Sequence, residues 1–151
     1  MKRILLIFLI VTSCGEETPR RTVPFAPVNF RIDPNGYDIE LNSPLSCKVF
    51  TEKGRRLDTD RFGYAGVLAV SDATGILYAF DLCCPHEDNR LVTVVPDYEG
   101  HGYNGKVKCA LCGSVFVTMF GLGNVESGPS AEPLQRYNVI LLQDGSYRAV
   151  N

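Results

Sequence analysis

Neither sign of charge dominates this chain: 15 Lys and Arg stand against 17 Asp and Glu, for a formal net charge of −2. So even a mixture predicts no basic face, and without clustered cations to meet phosphates it argues against a nucleic-acid partner. From Cys14 onward no apolar run approaches the roughly 20 residues of a membrane-spanning helix. No stretch keeps a helical period; a turn over Asp58 to Arg61 is the most helix the pattern predicts. Repeats and low-complexity segments are absent, and 151 residues suit one domain rather than two. There is no nucleotide fingerprint, no nucleophile elbow and no small-molecule site in the pattern. These absences argue against a self-contained enzyme. A hydrophobic content of 45% is enough for an ordinary core.

The N-terminus reads as an address. Lys2 and Arg3 precede an unbroken apolar run from Ile4 to Val11, too short to span a bilayer. Val11-Thr12-Ser13-Cys14 resembles a bacterial lipobox, in which Cys14 is acylated and becomes the new N-terminus. The other reading of the run is a buried first strand. Residues 1–13 are thus expected to be a lipoprotein signal peptide, and 14–24 a lipidated Cys and flexible tether, polar and containing two prolines. Acyl chains contribute roughly 0.8 kcal/mol per buried methylene, so two or more anchor stably. The expected location is the bacterial cell envelope, on a periplasmic or outer-membrane face, anchored to a membrane and not spanning it.

Residues 25–151 carry the punctuation of an all-β protein. Val28 to Ile32 alternates apolar and polar before the turn residues Asp33-Pro34-Asn35-Gly36. Gly66 to Val70 and Ile76 to Phe80 flank a five-residue turn and predict a hairpin. Val115 to Phe120 predicts a further strand. Tyr137 to Leu142 and Ser146 to Val150 flank Asp144-Gly145, a pair suited to the positive φ of a tight hairpin turn. Lys53, Arg55 and Arg56 form a small basic spot expected on a solvated turn.

If Cys14 is lipidated, five cysteines remain, an odd number that cannot all pair: Cys47, Cys83, Cys84, Cys109 and Cys112. Cys84-Pro85-His86 is a Cys-x-His pair, and Cys109-Ala110-Leu111-Cys112 is a Cys-x-x-Cys pair. Two such turns side by side would surround a point with three thiolates and an imidazole, the donor set of a small soft-metal or iron–sulfur site. Zinc (Zn2+) accepts the same ligands. A metal-free chain would instead have disulfides among these cysteines in an oxidising compartment. Cys83 should point away from Cys84, as a buried small hydrophobe or a disulfide partner of Cys47. His101 is an alternative fourth ligand, and Tyr98 and Tyr103 shield the centre or simply pack.

From about residue 60 to the end, the ordering resembles the Rieske family. That family carries Cys-x-His and then Cys-x-x-His-Gly-Ser-x-Phe at two hairpin tips. Here they read Cys84-Pro85-His86 and Cys109-Ala110-Leu111-Cys112-Gly113-Ser114-Val115-Phe116. Gly128-Pro129 resembles the loop that covers the family's cluster. The resemblance implies an antiparallel β-sandwich with a small cluster-binding subdomain of two hairpin loops. It further implies a [2Fe-2S] cluster, electron transfer between redox protein partners, and iron ligation by Cys84, His86, Cys109 and Cys112. Cys84 and Cys109 would hold one iron, His86 and Cys112 the other. Cys112 departs from the family, whose histidine stands at that position. An anionic thiolate there should pull the potential toward the all-cysteine range near −400 mV and leave a single titrating histidine ligand.

Overall fold

The computed structural model describes residues 21–98 and 102–151. The expected leader, Cys14 and His101 lie outside the described residues. Strand β1 (Val28–Ile32) is followed by β2 (Ser46–Phe50), β3 (Arg61–Phe62), β4 (Val67–Ser71) and β5 (Leu77–Asp81). Then come β6 (Val94–Pro96), β7 (Lys106–Cys109), β8 (Val115–Val117), β9 (Asn124–Ser127), β10 (Arg136–Leu141) and β11 (Tyr147–Val150). Every ladder among them is antiparallel, and among the described residues helix is confined to three short 3-10 turns. The chain is all-β, as expected.

Seven strands form one sheet in the order β2-β4-β5-β10-β11-β1-β3, and four form a second in the order β6-β7-β8-β9. The larger sheet curls. Phe30 on β1 meets Phe50 on β2 and Phe62 on β3, with ring centroids 4.7 and 5.0 Å apart. The two ends of the sheet order therefore share one core residue. β4 is buried at all five positions because a core lies on each of its faces. Val67 and Ala69 pack into the curl with Phe30 and Ile32. Leu68 and Val70 pack outward with Phe80 against Val94, Val107 and Phe116 of the smaller sheet. A strand covered on both sides has no polar positions to alternate, which is why this stretch reads as a continuous apolar run. The smaller sheet thus sits on the β2-β4-β5 half of the larger one.

Both expected hairpins form: β4 pairs with β5, and β10 with β11 across Asp144-Gly145, Gly145 having φ +80°. The strand expected over Val115 to Phe120 stops at Val117. Thr118 ties the chain there, its N–H and its hydroxyl both donating to the carbonyl of Gly105 at 2.9 Å. The chain then turns with Phe120 at φ 55°, in the left-handed region that bulky residues rarely occupy. Asp58 to Arg61 makes no helical turn; the Asp60 carboxylate closes that loop, accepting from the N–H groups of Arg56 and Leu57 at 3.2 and 3.0 Å. Within the expected tether, Val23 is buried and the N–H of Thr22 donates to Gln135 Oε1 at 2.9 Å, so packing begins before Phe25.

Two electrostatic expectations need correction. Arg56 is no idle surface charge: it donates to the fully buried Asp38 carboxylate through both terminal nitrogens, one at 3.0 Å. The Asp33 N–H and Lys48 Nζ reach the same carboxylate at 2.7 and 3.0 Å. Burial alone would raise the Asp38 pKa, but these bonds outweigh it and hold the group below its ordinary value. Such a group stabilises the fold above an unfolded pKa of about 3.9, and the contribution disappears as pH falls through the lower, folded one. Arg56→Gln should therefore move the midpoint of acid unfolding to higher pH, followed by circular dichroism over roughly pH 2 to 5. An unmoved midpoint would show that the pair contributes nothing to acid stability.

The second correction concerns the absent basic face. Alternation and register place Arg61, Arg31, Arg148 and Arg136 on the outer side of β3, β1, β11 and β10, all exposed. Bulk composition averaged over the chain hides this segregation, because a strand's outer face is sampled only at every second residue.

Candidate metal centre

The first cysteine turn grows out of β5. Beyond Asp81 the chain stays extended and closes on the far side of a loop: Val94 N–H donates to the Leu82 carbonyl at 2.8 Å, and Cys84 N–H to that of Val92 at 3.1 Å. The Cys84 carbonyl accepts from Glu87 and Asp88 N–H at 3.2 and 3.1 Å, curling the backbone around the cysteine. The second turn is the tip of the β7–β8 hairpin. There Cys109 N–H bonds to the Ser114 carbonyl at 2.9 Å and Gly113 N–H to the Cys109 carbonyl at 3.0 Å. Cys109 ends a strand whose apolar side faces the second core, so its sulfur is carried inward with Val107.

The structure brings three predicted residues together. Sγ of Cys84, Cys109 and Cys112 all lie within 4.8 Å of one another. Cys84 Sγ is 3.7 Å from Cys112 Sγ. That separation far exceeds a disulfide bond of about 2.05 Å, and all five described cysteines are free thiols. Cys84 and Cys109 are buried and Cys112 half-buried. His86 follows Cys84 by two residues and is exposed; its ring is not part of the mutually close group. Cys83 is buried, pointing away as alternation requires, and it does not pair with Cys47, which lies 3.6 Å from the Tyr98 hydroxyl. Tyr103 packs, its hydroxyl bonded to that of Thr118.

The thiols differ in ease of ionisation. Burial pushes Cys84 up to about 12. Burial also works against Cys112, but the Ser114 hydroxyl, 3.2 Å away, together with the Ser114 N–H and the two neighbouring thiols, holds it below its ordinary value. Cys112 is thus held nearer than Cys84 to the thiolate, the ligating form. Three soft sulfurs converging in a largely apolar pocket, with an imidazole two residues from one of them, fit an iron–sulfur or zinc centre by donor chemistry.

Residues outside the two ligand pairs support the site. Ser114 Oγ also accepts from Ser130 N–H at 3.1 Å, tying the 128–130 loop to the ligand hairpin. Gly128 makes that close approach possible: with φ +98°, a Cβ there would lie 2.4 Å from Ser114 Cα. Beneath the first ligand loop, the fully buried Asp81 carboxylate accepts four hydrogen bonds. They come from Tyr64 N–H at 2.7 Å, Ala65 N–H at 3.2 Å, Cys83 N–H at 2.8 Å and the Tyr137 hydroxyl at 2.7 Å. Burial and the charge of Asp81 push the Tyr137 phenol well above its ordinary value, so it stays a donor. Nothing in the linear sequence links Asp81 to Tyr137.

The model of the Rieske [2Fe-2S] domain family matches residues 41–138. No curated protein matches the chain. Among solved structures, a chain of "Complex of reduced oxygenase and oxidized ferredoxin in carbazole 1,9a-dioxygenase" is similar, at a TM-score of 0.49 and 15% identity over 81% of this chain and 93% of that one.

Proposed function

The chain belongs to the Rieske [2Fe-2S] domain family, and on that premise we propose that it is a one-electron carrier tethered to the cell envelope through Cys14. The convergence of Cys84, Cys109 and Cys112 carries this reading. In the assignment we propose, Cys84 and Cys109 hold one iron, and Cys112 and His86 the other. His86, the fourth donor of this assignment, is exposed and lies two residues from Cys84. Bound there, a [2Fe-2S] cluster supplies a one-electron couple.

The chain's own residues set the conditions for that couple. The buried Cys84 and Cys109 keep water from one side, while exposed His86 leaves the other side open to a redox partner. Cys112 contributes a charge that an imidazole would not, making reduction harder. Ser114 positions Cys112 and draws the 128–130 loop over the hairpin. Among the described residues no helix is long and apolar enough to cross a membrane.

One observation favours a second reading. Zinc–sulfur bonds of about 2.3 Å in a tetrahedron place sulfurs about 3.8 Å apart, and the Cys84–Cys112 separation is 3.7 Å. A mononuclear zinc staple would make the protein a structural or binding lipoprotein. Anaerobic purification followed by metal and acid-labile sulfide analysis decides between them. Iron and sulfide, about two of each per chain, with a red-brown colour, are the expected result. Stoichiometric zinc without sulfide would overturn the electron-carrier reading.

A further inference from the structure

We propose that the outer face of β3, β1, β11 and β10 rests on an anionic lipid surface, leaving the cysteine centre directed away from the membrane; the proposal rests on acylation of Cys14. The first observation is the register. Arg31 on β1 stands directly opposite Arg148 on β11, and Asn29 opposite Arg61 on β3. Like charges placed directly across a ladder destabilise a sheet. Arg31 has some relief from Asp144, 2.9 Å away at the end of the β10–β11 turn. Arg148 donates to the neutral Asn29 Oδ1 at 3.3 Å. Arg136 donates to the Gly121 carbonyl at 3.2 Å and stands over the Tyr78 ring. None of the strand positions on this face is Asp or Glu. In a chain of net charge −2, that is a marked separation of charge, and its complement is a surface of phosphates.

The second observation is the rim. Arg136 ties this face to the turn that carries Phe120 and Leu122, which are 58% and 52% exposed. Phe120 is held at φ 55°, a conformation unfavourable for a bulky side chain, with its ring in solvent. Arginines bordered by exposed aromatic and aliphatic side chains are the composition of a headgroup-level contact, cations meeting phosphate and apolar groups reaching the acyl boundary.

The third is where the tether arrives. Arg21 is seven residues beyond Cys14, a reach of at most about 25 Å. Arg21 and Phe25 line the same groove as Arg136, a cleft of about 480 Å³ beside the start of β10. Lipid at Cys14 would hold this side of the domain near the bilayer. The opposite end of β8 carries the cysteine hairpin, with Leu111 67% exposed at its tip. An anchored domain lying this way leaves that tip free for a soluble partner.

The chain contains no tryptophan, so one can be introduced as a depth probe. The full-length protein, as Leu122→Trp and separately as Leu111→Trp, is reconstituted into phosphatidylcholine/phosphatidylglycerol vesicles with brominated acyl chains. Emission is compared with that in unbrominated vesicles, which cancels quenching by a bound metal. Leu122→Trp should be quenched at least twofold more than Leu111→Trp. The contrast should shrink in pure phosphatidylcholine and in an added Arg31→Gln/Arg148→Gln background. That double change removes a like-charge pair, so it should melt no lower than its parent. Mass spectrometry of the mature protein reads the anchor separately. Acyl mass with equal quenching at the two positions overturns the face and leaves the anchor standing, whereas an unacylated mass overturns both.

Discussion

Cys112→His is expected to raise the reduction potential of the centre by roughly 250 mV or more, the gap between the plant-ferredoxin and lower Rieske ranges. The change exchanges an anionic ligand for a neutral one on the second iron of the proposed assignment. With one negative charge fewer, the centre accepts an electron more readily. At 59 mV per factor of ten, 250 mV is a change of about 6 kcal/mol in the free energy of reduction. No adjustment of hydrogen bonding at an unchanged ligand set is expected to match it. Film voltammetry on the wild type and the variant measures the shift directly. A rise below about 50 mV would mean that Cys112 does not hold the metal. A colourless wild type containing zinc would show no wave in either protein and would support the zinc staple.

Asp81→Ala is expected to destabilise the fold by about 3–5 kcal/mol, the range for breaking a buried charged hydrogen-bond network. It strips partners from the N–H groups of Tyr64, Ala65 and Cys83 and from the Tyr137 hydroxyl at once. For a domain of this size that is a fall of roughly 10 °C or more in Tm. Because the Cys83 N–H is one residue from Cys84, the site should also lose metal to a chelator faster than in the wild type. Tyr137→Phe removes one donor and keeps the rest, so it should cost less, about 1.5–3 kcal/mol. Gly63 reinforces the point: at φ +71° a Cβ there would lie 2.6 Å from Asp81 Oδ2. Calorimetry on the three proteins tests the ranking. Equal Tm values for Asp81→Ala and the wild type would remove Asp81 from the account of how the first ligand loop is held.

The residues of the site were visible in the linear chain because each pair is local. Cys84-Pro85-His86 and Cys109 to Cys112 each fall within one tight turn, so spacing alone exposes them. The two β hairpins were visible for the same reason, since their turn chemistry lies in a few adjacent residues. The early end of β8 was not visible. Val115 to Phe120 has the composition of a longer strand, and only the bonds from Thr118 to Gly105 show where pairing stops.

The sequence by itself determined that the chain is all-β, where its tightest turns lie, and which side chains could ligate metal. Those properties depend on neighbours a few residues apart. Tertiary structure decided that three of the four candidate ligands meet, that Asp81 is sealed by Tyr137, and that arginines from four strands share one face. Each of those outcomes depends on strand register and on the docking of one sheet against the other. Those contacts join residues from 28 positions apart, Cys84 and Cys112, to 56 apart, Asp81 and Tyr137, and no local pattern carries that information.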